Sequence, residues 1–154
     1  VQNFSREPAG NDRSQILSVA SGESKLAIAN TYYYALMASG KKGEEQQEAT
    51  KKVKPYFPNQ QNRGTHMNIS GIGVLKHSPN PELATQFIEF LLAPKVQKHI
   101  INNTFEYPMI ESVKPSILVE TMGKNFKQDN STNVSSYGKW QKDAFKIMKE
   151  AGWN

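Results

Sequence analysis

Hydrophobic positions along this chain fall into short clusters of two kinds, some at helical spacing and some in continuous runs bounded by turn residues. Ile16, Leu17, Val19 and Ala20 follow Asn11 and Asp12, either of which suits an N-cap, and predict a short amphipathic helix ending near Gly22. Leu26 to Ala29 is a brief apolar run that predicts a strand. Asn30 and Thr31 then turn the chain into a helix running through Met37 and closed by Gly40. Glu44 to Lys52 reads as a charged, solvent-facing helix, Val53 to Phe57 as an edge strand or extended connection between prolines, and 59–65 as a polar loop. Ile69 to Leu75 is a second strand-like run, whose Gly71 and Gly73 suggest close backbone approach.

Pro79-Asn80-Pro81 stops that run, and Pro81 suits the first turn of a helix through Leu83, Phe87, Ile88, Leu91 and Leu92. Pro94 breaks this helix, and Val96 to Ile101 resumes it. The pattern over Glu111 to Met122 is mixed, and Asp129 to Ser136 is a polar loop. Tyr137, Trp140, Ala144, Ile147, Met148 and Ala151 form an apolar stripe on a last helix, with Lys139, Lys142, Lys146 and Lys149 away from it and Gly152 at its end. Strands alternating with helices predict an α/β class with at least partly parallel strands.

At 154 residues the chain matches one ordinary domain or a piece of a larger one. The start VQNFSREPAG is neither a signal peptide nor an initiator sequence, so the chain is expected to begin inside a longer polypeptide. No apolar run approaches the roughly 20 residues of a membrane span. With no cysteine, disulfides, thiolate metal sites and a thiol nucleophile are all excluded, and chemistry falls to oxygen and nitrogen groups. The net charge of +5 raises the question of nucleic acid. Its distribution argues against that partner, because only Arg6, Arg13 and Arg63 are arginines and the lysines are scattered over helix exteriors.

One motif stands apart from routine packing. Asn30-Thr31-Tyr32-Tyr33-Tyr34 sets three phenols around most of a helical turn, because successive residues lie about 100° apart. They cannot all face the core. Tyr34 aligns with Met37 on the apolar side, which leaves Tyr32 and Tyr33 towards the loop end of the preceding run, where open α/β sheets bind ligands. Phenol has an ordinary pKa of about 10, so only a cation of high charge density displaces its proton near neutral pH, and ferric iron is such a cation. Two adjacent phenolates would offset two of its charges, while a helix N-terminus would attract a small accompanying anion. Aromatic packing between helix and sheet accounts for the same residues on composition alone.

The segment Ser21-Gly22-Glu23-Ser24 through Asn30-Thr31-Tyr32-Tyr33 resembles bacterial periplasmic ferric-iron-binding proteins, in which a Gly-Glu turn, an apolar run and an Asn-x-Tyr-Tyr motif precede a helix. The resemblance extends to Phe4-Ser5-Arg6-Glu7-Pro8 with Gly10 to Arg13, to Gly64 to Val74, to Pro79 through Pro94, to Glu106-Tyr107-Pro108 and to the helix from Trp140 to Trp153. It implies part of a two-lobed, type II-like periplasmic-binding-protein fold, incomplete without its N-terminal half. Residues 1–62 would be a tyrosine-bearing C-lobe segment, 63–112 a crossover strand with an N-lobe segment, and 113–154 the return to the C-lobe. It implies Fe3+ held in an interlobe cleft by Tyr32 and Tyr33, a synergistic anion, further ligands from the missing half, and delivery in the periplasm to an ABC importer's permease.

That reading makes the chain a binding protein rather than an enzyme. The alternative is a solute-binding protein for an organic or anionic ligand, with the tyrosines stacking and hydrogen bonding. His66, His77 and His99 lack ligand spacing, and Glu44, Glu45, Glu82 and Glu89 form no acid–base pair. Tyr56, Tyr107 and Tyr137 are expected to be packing residues with a wet hydroxyl. Arg6 and Arg13 flank the approach to the tyrosine helix as candidate anion contacts or surface ion pairs, and no anion-binding residue is assigned.

Overall fold

The protein is described from a computed structural model, over residues 9–123 and 125–153. Among the described residues seven α-helices account for the regular structure: α1 (Asp12–Ala20), α2 (Thr31–Ala38), α3 (Glu44–Thr50), α4 (Pro81–Leu92), α5 (Pro94–Thr104), α6 (Ile117–Met122) and α7 (Tyr137–Glu150), the last preceded by a 3-10 turn over Val134–Ser136. Asn11 caps α1 as expected, its side chain accepting from the Arg13 and Ser14 amides. Pro81 and Pro94 both sit in the first turn of their helices, where a missing amide proton costs nothing. Pro94 therefore starts a helix as well as ending one, and α5 runs on to Phe105, whose left-handed φ of 61° terminates it. The mixed pattern of 111–122 conceals α6, nucleated by the Ser116 side chain accepting from the Val119 amide.

The expected strands do not form. Leu26–Ala29, Val53–Phe57 and Ile69–Leu75 are extended or irregular, and the sole β-type pairing among the described residues is one isolated parallel bridge between Thr65 and Gln128. A strand exists only against a neighbour that takes up its backbone donors and acceptors. These runs have none among the described residues, and the apolar side chains of the first and third lie largely bare, Leu26 at 88% exposure and Leu75 at 80%. The α/β expectation is therefore not met by the described residues, which are helical and irregular.

The chain divides into two compact units, one containing Gly10–Pro55 and Asn68–Asn125, the other Tyr56–Met67 and the stretch from Phe126 onward. The first unit has a shared core: Ile101, Phe105, Val113, Val119 and Met122 are buried, as are Ile16, Ala35 and Met37, and all lie in it, where α2 packs on α1, α3 and α6. The second unit is held differently. Phe57 stacks on Phe126 with ring centroids 4.0 Å apart, and the Gln60 carboxamide bonds Pro58, Thr65 and Lys127 together. None of the residues of α7 is buried, so Trp140 and Ile147 of its apolar stripe face outward, as does Phe145 beside it.

Candidate metal centre

The approach to the tyrosine motif is built from short-range polar bonds. Gly22 adopts φ +82° after α1, a turn that suits glycine. The buried Ser18 hydroxyl meets the Glu23 carboxylate at 3.1 Å and the Ser24 hydroxyl at 2.9 Å, and the Ser24 amide donates to the Ser18 carbonyl. The Gly-Glu turn is thereby pinned to α1, and the extended 25–30 segment is delivered to the start of α2.

There, Asn30 occupies the N-cap position with extended φ and ψ of −74° and 141°, yet its side chain makes no capping bond to its own helix. Its backbone amide donates to Asp12 Oδ1 at 2.7 Å and its Nδ2 to the same oxygen at 3.2 Å. Its Oδ1 accepts from Asn68 Nδ2 at 2.9 Å. The Asn30 carbonyl still opens the helix by accepting from the Tyr33 amide at 3.2 Å.

The three tyrosines separate as their angular spacing predicts. Tyr34 turns to the protein, its hydroxyl donating to the Thr50 carbonyl at 3.1 Å, and burial pushes its phenol pKa up. Tyr32 and Tyr33 lie side by side with ring centroids 4.5 Å apart at a 43° tilt. Burial first, then the neighbouring Tyr33 hydroxyl and the negative charges of Asp12 and Glu106, push the Tyr32 phenol above its ordinary range. Tyr32 thus stays protonated at neutral pH until something strongly electropositive displaces its proton. The two rings are half-buried and lie outside the core to which Ala35 and Met37 of the same helix belong.

The remaining candidates are scattered. His66, His77 and His99 are exposed, and no group of three or more His, Asp or Glu side chains gathers among the described residues. The Arg13 guanidinium reaches the Gln46 side chain at 3.5 Å rather than a carboxylate, and Arg6 lies outside the described residues. Of the tyrosines expected to pack, Tyr107 does so, its hydroxyl donating to the Gly123 carbonyl and its pKa raised to about 12 by burial. Tyr56 does not, being 82% exposed. The sequence pattern marked Asp12 only as a possible helix cap. Its contact with Asn30, 18 positions on, has no local signal.

Comparison with known proteins gives this arrangement a context. The profile of the bacterial extracellular solute-binding proteins matches residues 3–150. The chain belongs to that family. Among its relatives, iron uptake protein A1 of Synechocystis is 44% identical over 99% of this chain and 42% of its own length. A Trichodesmium protein (IdiA, FutA) solved in complex with iron and citrate superposes with a TM-score of 0.91 at 45% identity, covering 99% of this chain and 47% of that one. A ferric binding protein from Campylobacter jejuni gives 0.87 at 39% identity, with 99% and 47% coverage. The chain therefore spans slightly less than half the length of these family members, and over that length it shares their fold.

Proposed function

We propose that this chain supplies two phenolate oxygens, from Tyr32 and Tyr33, to a ferric-ion site in a periplasmic transport protein. The observation that carries the reading is the pairing of these two rings at the start of α2, on a helix whose other face supplies the core. The relatives named for iron uptake and ferric binding support the choice of cargo. Neutral phenols are poor ligands, so binding of Fe3+ expels protons and creates two anionic oxygens in adjacent coordination positions. The remaining ligands come from the half of the polypeptide that its relatives have and this chain does not include, and a small anion accompanies the metal, as citrate accompanies iron in the Trichodesmium structure. Capture in the periplasm, closure of two lobes and release at the permease of an ABC importer complete the cycle, with no bond broken in the cargo. Within it, the unit carrying Tyr32 and Tyr33 belongs to one lobe.

Adding Fe3+ to the full-length polypeptide should give a visible phenolate-to-iron charge-transfer band, which Tyr32→Phe and Tyr33→Phe each weaken. A colourless wild-type complex overturns the proposal. Titration in weak buffer should release protons, and lowering the pH should bleach the band as protons compete for the phenolates. The citrate of the Trichodesmium structure also favours a second reading, an organic anion bound on the tyrosine rings. Equilibrium dialysis separates the two, because that reading requires citrate retention without metal.

A further inference from the structure

We propose that Asp12 is a positioning residue for the tyrosine pair, setting the start of α2 through Asn30 and, beyond it, Asn68. The inference rests on the ferric reading above and adds to it a residue that touches neither tyrosine ring through a bond of its own.

Three observations carry it. First, the polar groups of Asn30 make three bonds to two partners: backbone amide and Nδ2 to Asp12 Oδ1, at 2.7 and 3.2 Å, and Oδ1 to Asn68 at 2.9 Å. Second, these bonds replace the usual one. An asparagine at an N-cap ordinarily bonds the second or third amide of its helix, and Asn30 makes no such bond. Its side chain is spent on fixing its own position rather than on saturating α2. Third, the anchor at the other end lies on a capped and packed helix. Asp12 opens α1, which Asn11 caps and which packs directly on α2.

Tyr32 and Tyr33 follow Asn30 by two and three residues, and the Tyr33 amide bonds the Asn30 carbonyl. A rotation of the Asn30 peptide therefore swings both phenols together. Bidentate capture of a small ion needs two oxygens held at one separation and direction, and loosening by a fraction of an ångström is enough to weaken it. The carboxylate suits the task because bonds to a charged acceptor are shorter and about twice as strong as neutral ones. What the arrangement requires of residue 12, however, is an acceptor oxygen at that place.

The test compares Asp12→Asn, which keeps an acceptor oxygen, with Asp12→Ala, which removes it, in ferric titrations of the full-length polypeptide followed by the charge-transfer band. Asp12→Ala should bind Fe3+ about tenfold more weakly and shift the band maximum, an effect on the order of one hydrogen bond to a charged group. Asp12→Asn should stay within about threefold of wild type with the band unmoved. Asn68→Ala, at an exposed position where folding is not in question, should weaken binding by about threefold and broaden the band. Thermal melts of each variant separate loss of fold from loss of positioning. A wild-type band and affinity in Asp12→Ala overturn the inference, as does Asp12→Asn falling as far as Asp12→Ala. If Asp12→Ala does not fold, an unchanged band and affinity in Asn68→Ala overturn it. Tyr32→Phe and Tyr33→Phe controls distinguish the two levels: if they leave the band intact the ferric reading itself fails, and if they weaken it while Asp12→Ala keeps the wild-type band and affinity, only the role of Asp12 fails.

Discussion

At the scale of single residues, polar side chains here act mostly on backbone a few positions away. Asp129 is the sharpest case. Its Oδ1 accepts from the Ser131 amide and hydroxyl and from the Thr132 amide, and its Oδ2 accepts from the Thr132 hydroxyl, which together hold its carboxyl down at about 2. A carboxylate whose folded pKa lies below its ordinary 3.8 contributes stability present above that value and lost as pH falls towards 2. An NMR titration should therefore find the Asp129 midpoint near 2, and Ser131→Ala with Thr132→Val should move it up towards the ordinary value. The polar composition of 129–136 announced a loop, and the spacing of Asp, Ser and Thr is that of a local turn, so this feature was legible in the sequence. The Asp12 to Asn30 contact was not, since a bond across 18 residues depends on how α1 and α2 pack.

Among elements, helices whose signals are local match their expected places. Asn11, Pro81 and Gly40 mark boundaries because capping, proline geometry and left-handed turns act over one helical turn. The strands failed for the complementary reason, that a strand's hydrogen bonds lie outside itself. The single bridge that does form is sterically tight: Gly64 has φ +96°, and a Cβ there would meet the Gln128 carbonyl carbon and oxygen at 2.7 Å. Gly64→Ala should thus break the Thr65–Gln128 pairing and cost about 2 kcal/mol or more, combining a strained left-handed residue with a backbone clash. Denaturant unfolding that left stability unchanged would show that the 59–65 loop can move off Gln128 freely.

For the whole molecule, one unit is organised around a buried helical core, yet much apolar surface on both units remains uncovered. Leu83, Phe87 and Phe90 on α4, Trp140, Phe145 and Ile147 on α7, and Leu26, Ile28, Ile72 and Leu75 on the extended runs are all exposed. Monomeric soluble proteins seldom expose apolar patches of more than a few hundred Å2. The 154-residue chain on its own should consequently enhance the fluorescence of 1-anilinonaphthalene-8-sulfonate strongly and sediment with a concentration-dependent mass. A weak dye response and a constant monomer mass would mean that these side chains find cover within the chain.

The sequence by itself determined the helices with local start and stop signals, the polar loops, the absence of thiol chemistry and the separation of Tyr34 from Tyr32 and Tyr33, since a fixed 100° step per residue decides which phenols can share a face. The tertiary structure alone decided that the apolar runs stay unpaired, that residues 68–125 join the tyrosine-bearing unit, and that Asp12 and Asn68 meet at Asn30. Each of these depends on which distant segments are present to supply a partner, and periodicity along a chain carries no record of what lies across from it.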